Sequence, residues 1–161
     1  MDRSFNSVTT GVDLYFTDFE AFTLGNDQIA GTDGWLSSNS GSGTSGIRVN
    51  AASKVGWVGL NPTLAPSTYV WRPINYDPVA AGTPAIQFMV DLSVVDSTNG
   101  HADTFGFLLV NTAGLPLGAI YFDHHDHGIY RSDGVSAAVS TGIGFAPGSP
   151  YSLIVAINFA T

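Results

Sequence analysis

A chain of 161 residues is about one domain and long enough to bury a core. Only 11% of it is charged, against roughly 25% in an average soluble protein, and the formal charge is −8. Its five lysines and arginines are scattered (Arg3, Arg48, Lys54, Arg72, Arg131), which leaves no basic face for nucleic acid or an anionic membrane.

No run approaches the roughly 20 apolar residues of a membrane-spanning helix, so membrane insertion is not expected. Cysteine is absent, which removes disulfides, thiolate nucleophiles and Cys-ligated zinc together. Residues 1–17 contain no apolar stretch of the signal-peptide kind. Either the protein is cytosolic, or the chain is a mature form or a fragment.

Residues 1–15 read as an N-terminal extension or a first edge strand, with a short strand predicted at 12–16. Asp18 and Glu20 flank Phe19 in an alternating segment, which sends both carboxylates to one side. Turn signals follow at Asn26-Asp27 and Gly31 to Gly34. SSNSGSGTSG (37–46) is low in complexity; only about 36 residues precede it, too few for an independent domain, so it reads as a surface loop. Short strands are predicted at 46–50, 54–60 (with Trp57) and 68–72 (with Trp71).

In AIQFMVDLSVV (85–95), Ile86, Phe88, Val90, Leu92 and Val94 fall on one face of a long half-buried strand. YSLIVAINF (151–159) does the same with Tyr151, Leu153, Val155, Ile157 and Phe159. Further strands are predicted at 104–111, 117–122, 129–132 and 136–140, with turns at Asn61-Pro62, Asn99-Gly100, Gly114, Asp133-Gly134 and Pro147-Gly148. Nineteen glycines and eight prolines suit that many turns. Helical periodicity is missing, so the predicted fold is all-β, an antiparallel β-sandwich or jelly roll over 16–161. The apolar strand at 151–159 calls for a partner strand; without one, an open sheet edge invites homo-oligomer pairing.

FDHHDHGIYRSDG (122–134) concentrates histidine and aspartate. Were its backbone extended, Asp123, His125 and His127 would share one side, with His124 and Asp126 on the other. Such a set is a shallow site for Zn²⁺ or another transition metal, completed by His101 or a water. The other reading is the polar tip of a hairpin joining 117–122 to 129–132, with Gly128 as the permissive backbone position. His124-x-Asp126-His127 matches only the latter half of the H-x-H-x-D-H metallohydrolase motif, and the helices of that fold are not predicted.

Enzyme motifs are otherwise missing. Glu20 is the sole glutamate, whereas glycoside hydrolysis uses two carboxyl groups. No G-x-S-x-G elbow, Walker A loop or dinucleotide-binding turn is present. Trp57, Trp71 and Tyr130 have flat faces that stack on sugar rings, and Arg131 can meet hydroxyls, so these four are the ligand-binding candidates.

Several segments, in order, resemble the concanavalin A-like lectin/glucanase (LamG-like) jelly rolls of exported bacterial proteins. They are DFEAFTLGNDQIAGTDGW (18–35), GTSGIRVN (43–50), AIQFMVDLSVV, FGFLLVN, IYFDHHDHGIYRSDG and YSLIVAINFAT. The resemblance implies a secreted module that binds polysaccharide or serves adhesion, with one or more C-terminal strands beyond this chain. It also implies a structural Ca²⁺ near Asp18 and Glu20. The E-x-D-x-E strand of the group's glucanases is absent. The expected function is therefore glycan binding or adhesion without catalysis; the alternative is a metal-assisted hydrolase or polysaccharide-active enzyme working through 123–127.

Overall fold

A computed structural model describes residues 14–39, 41–59, 67–95 and 103–159. Among them there is no helix, and every strand pairing is antiparallel, which is the all-β architecture that the alternating pattern demands. Contacts divide the chain into two units, Met1–Asp77 and Pro78–Thr161.

Among its described residues the first unit holds five short strands: β1 (Gly25–Asn26), β2 (Leu36–Ser37), β3 (Ser45–Asn50), β4 (Ser53–Val58) and β5 (Val70–Trp71). They form a three-stranded sheet, β1-β3-β4, and a ribbon, β2-β5. Phe22, Ile29 and Ile47 are buried together, and Phe19, Trp35 and Val70 pack around them. Each such side chain contributes roughly 1.5–3 kcal/mol through burial.

Most of that cluster comes from loop residues held by specific bonds. Phe19 has φ 64° and accepts the Phe22 N–H at 3.0 Å, which turns both rings inward at 5.2 Å. Glycine at position 56 leaves room for the Phe19 ring, since a Cβ there would lie 3.0 Å from Phe19 Cζ. The Trp35 indole donates to the Tyr15 hydroxyl at 2.8 Å, and the Arg72 guanidinium lies 3.6 Å from the centre of the Tyr15 ring.

Among its described residues the second unit holds six strands: β6 (Ala85–Ser93), β7 (Thr104–Val110), β8 (Pro116–Asp123), β9 (Gly128–Ser132), β10 (Val139–Gly144) and β11 (Pro150–Asn158). One sheet runs β10-β9-β8-β7 and the other is the β6-β11 pair. Their apolar faces meet. Leu92 of β6 and Tyr151 of β11 join Phe105, Ile120, Phe122 and Ile129 of the larger sheet in one cluster with Val94 and Phe145. The Phe88 and Phe107 rings lie 5.8 Å apart across the interface. This unit is a two-layer sandwich, with alternate residues of each strand directed inward.

The predicted strands at 46–50, 85–95, 104–111, 117–122, 129–132 and 151–159 correspond to β3, β6, β7, β8, β9 and β11. Three expectations need correction. Residues 14–16 are not a strand, because Tyr15 is committed to Trp35 and Arg72; residues 12 and 13 lie outside the described residues. The strand expected at 136–140 begins at Val139, because the Asp133 carboxylate accepts the Val135 and Ser136 N–H groups and holds them in a turn. The surface loop expected at 37–46 is shorter, because Ser37 ends β2 and Thr44, Ser45 and Gly46 are buried where β3 begins; the Asn26-Asp27 turn signal stands, with Asn26 ending β1 and Asp27 turning at φ 59°. Residue 60 and the turns at Asn61-Pro62 and Asn99-Gly100 lie outside the described residues.

Candidate functional site

The β8–β9 hairpin determines what the histidine-rich stretch can do. Asp123 pairs with Gly128, so residues 124–127 form a four-residue loop rather than extended backbone. His127 has φ 55°, the left-handed position that closes such a loop. The expected sharing of one side by Asp123, His125 and His127 is thereby corrected, because the alternation it requires stops at Asp123.

The loop's carboxylates serve the turn. Asp123 Oδ1 accepts the His125 N–H at 2.8 Å, and Asp126 Oδ1 accepts the Gly128 N–H at 2.7 Å. Asp126 Oδ2 accepts the Tyr130 hydroxyl proton. That bond and the Gly128 N–H hold the Asp126 carboxyl below its usual range, and the same bond raises the Tyr130 phenol. His124 is buried edge-on against Phe105 and Phe145, and its ring lies 5.9 Å from that of His127. Among the described residues no three His, Asp or Glu side chains converge as a metal site would require. His101 lies outside the described residues. The donor set as folded does not fit Zn²⁺.

Asp18 and Glu20 are likewise engaged. Asp18 Oδ1 accepts the Glu20 N–H at 3.0 Å, and Glu20 Oε1 accepts the Lys54 N–H at 2.8 Å. The Lys54 ammonium donates to the Glu20 and Phe22 carbonyls at 2.8 and 2.7 Å. A resident ammonium at these carbonyls opposes a Ca²⁺ cage, which needs six to eight oxygen ligands around one point. Instead the arrangement straps the Phe19–Phe22 turn onto β4.

The larger sheet offers an open cleft of about 590 Å³ on the face turned away from the core. Register explains its lining. Thr104 pairs with Asp123 and Gly106 with Tyr121, while Tyr121 pairs with Tyr130 and Ala119 with Ser132. These residues share one face, whereas Phe105, Phe122 and Ile129 share the other. Two tyrosines are therefore cross-strand neighbours in the cleft.

Both lie over glycines. A Cβ on Gly106 would sit 2.8 Å from Tyr121 Cδ1, and one on Gly128 would sit 2.9 Å from Tyr130 Cε2. With no side chain beneath them, the rings come down onto the sheet and make an aromatic floor. Thr104, Asp123, Ser132 and Ser136 add hydroxyl and carboxylate groups around it.

Of the four ligand-binding candidates, only Tyr130 reaches this cleft. Arg131 follows it on β9 and points to the opposite face, beside Val139. Trp57 is half-buried on the face of the β3–β4 sheet away from Ile47, with its indole nitrogen 3.0 Å from where a Cβ on Gly46 would lie. Trp71 is 42% exposed and paired with Leu36 on the outer side of the β2–β5 ribbon. Tyr121 was not among the candidates. The register of the β8–β9 hairpin sets it directly opposite Tyr130.

Comparison with family models, curated proteins and solved structures gives no match.

Proposed function

We propose that the protein is a carbohydrate-binding module that holds a neutral glycan in the β7–β8–β9 cleft without cleaving it. The observation that carries this reading is the floor of Tyr121 and Tyr130, lowered onto Gly106 and Gly128. An aromatic face suits the apolar C–H face of a pyranose, and a few placed polar groups then orient its hydroxyls. Asp123, Thr104 and Ser132 stand where that orientation would be set.

Charge favours a neutral ligand. Asp123 lines the cleft, no lysine or arginine does so among the described residues, and the chain carries −8 overall. Anionic sugars would meet repulsion. The lining contains one carboxylate where glycoside hydrolysis generally uses two. The sandwich architecture and the resemblance to concanavalin A-like jelly rolls support an extracellular setting for such a module.

Pull-down on insoluble polysaccharides, followed by titration with soluble fragments, tests the reading. Tyr121→Ala and Tyr130→Ala should each weaken binding by about tenfold or more, by analogy with the about 1–3 kcal/mol of aromatic stacking measured on nucleobases. Tyr130→Phe keeps the ring and should retain most of the affinity. Silence across neutral glycans, or binding indifferent to both alanine variants, would sink the proposal.

A further inference from the structure

We propose that the Asp77–Pro78 peptide bond is an acid-cleaved link, cut by the side chain of Asp77 itself. It is the one aspartyl-prolyl bond in the sequence. It is also the bond at which the first compact unit ends and the second begins.

Each side of the bond is tied into its own unit. Before it, Arg72 Nε donates to the Asp33 carbonyl at 2.8 Å, and the guanidinium lies over the Tyr15 ring. After it, the Pro78 carbonyl accepts the Thr83 N–H at 3.1 Å and the Val79 carbonyl accepts the Gly82 N–H at 3.1 Å, in a turn that leads into β6. Residues 72–77 belong to no strand. Among the described residues no strand pairing crosses the bond. Each buried cluster lies wholly to one side, with Phe22, Ile29 and Ile47 before it and Val94, Phe122 and Phe145 after it. Neither core relies on covalent continuity at 77–78 for its own contacts.

The chemistry is local, because Asp77 supplies both the nucleophile and the carbonyl. A carboxyl oxygen that attacks the carbonyl carbon of its own residue closes a cyclic anhydride. The C–N bond breaks, and the carboxyl proton passes to the proline nitrogen, which leaves as a secondary amine. Water then opens the anhydride and leaves two carboxyl groups on Asp77. One water is consumed, and nothing is oxidised or reduced. Attack from within the same residue has an effective concentration far above that of a separate molecule, and carboxylates serve as nucleophiles in enzymes by the same principle. The reacting atoms lie in two adjacent residues, so the step needs no pocket and no docking of a partner.

Proline selects this bond among the aspartyl bonds. Its nitrogen carries no N–H, so no hydrogen bond from it holds the leaving group in place. As a secondary amine it also takes up a proton more readily than the primary amine that another residue would release. Acid drives the step, since the nitrogen is protonated as it departs. Tyr76 and Asp77 are the titratable side chains between Arg72 and the bond, and Arg72 is committed to Asp33 and Tyr15. The chain therefore stays whole at neutral pH and becomes two separately cored pieces in acid. The glycan cleft is lined entirely by residues after the bond, so the scission and the glycan reading stand or fall separately.

The test holds the purified full chain at about pH 3 and at about pH 7 for the same time and reads the products by intact mass spectrometry. Fragments 1–77 and 78–161 are expected, formed at least about tenfold faster in acid. Asp77→Ala removes the nucleophile and Pro78→Ala removes the better leaving group; each should slow the cut at least about tenfold. Mass reports the bond and not the fold, so a variant that unfolds still gives an answer. After return to neutral pH, the cut chain should show the same β-sheet circular dichroism as Pro78→Ala carried through the same treatment. No cut at 77–78 in acid, cutting at other aspartates at the same rate, or a rate unchanged in Asp77→Ala would overturn the proposal. Loss of the β-sheet signal in the cut chain alone would overturn the independence of the two cores.

Discussion

The two units of this chain build cores in opposite ways. In the second, buried side chains come largely from long strands with alternating faces, as Phe122 of β8 does within its cluster. In the first, Phe22 and Ile29 lie in loops, and only Ile47 of the buried trio sits in a strand. Regular backbone bonding supports one, while side-chain-to-backbone bonds such as those of Lys54 and Arg72 support the other. Burial can therefore be equally complete where the local pattern is irregular, provided each turn is fixed individually.

The strongest challenge to that equivalence is truncation of each core. Phe22 and Phe122 are each only 3% exposed, and replacement of either by alanine should cost about 3–5 kcal/mol. Urea denaturation checks this. A loss below about 1 kcal/mol for Phe22→Ala alone would show the loop-built core relaxing where the strand-built one cannot.

Close backbone approach comes next. A Cβ on Gly46 would lie 2.4 Å from the Gly25 carbonyl oxygen and 2.9 Å from Asn26 Cα, so Gly46→Ala should cost about 1–3 kcal/mol and separate β1 from β3. A thermal melt unchanged from the parent would show that β1 contributes nothing to the first unit. Ala51 turns the β3–β4 hairpin with φ 58°, a conformation that costs an L-residue roughly 1–2 kcal/mol. Ala51→Gly should recover part of that strain as a modest rise in melting temperature, and a fall would contradict it.

The smallest effect is electrostatic and confined to the β8–β9 hairpin. Asp126 is held below its ordinary value of 3.8 by the Tyr130 hydroxyl and the Gly128 N–H, and Tyr130 is held above 10.0 by Asp126. A depressed acid contributes stability above about pH 4 that is lost as pH falls through the folded value. The raised phenol contributes below about pH 10 and loses it as pH rises through its own folded value. NMR titration should find both shifts diminished in each partner's absence, in Tyr130→Phe for the acid and Asp126→Asn for the phenol. Shifts that persist would assign them to other groups.

Legibility in the sequence followed the same division. Alternation in AIQFMVDLSVV and YSLIVAINF located β6 and β11 within two residues, because each has one face on the core and one outside. Nothing in the sequence marked two-residue strands such as β1 and β2, whose pairing depends on loop bonds and on space left by a glycine. At the candidate site, the hairpin reading of 122–134 stood and the extended-backbone geometry did not, because four loop residues reset the alternation. Tyr130 was legible as an aromatic beside the turn. Tyr121 required register, and the fit of both rings required knowing which glycines lie beneath them.

The parity of β11 has a kinetic consequence. Its odd-numbered amides bond β6, so hydrogen exchange at Leu153, Val155 and Ile157 should be slow and should report the opening of the β6–β11 pair itself.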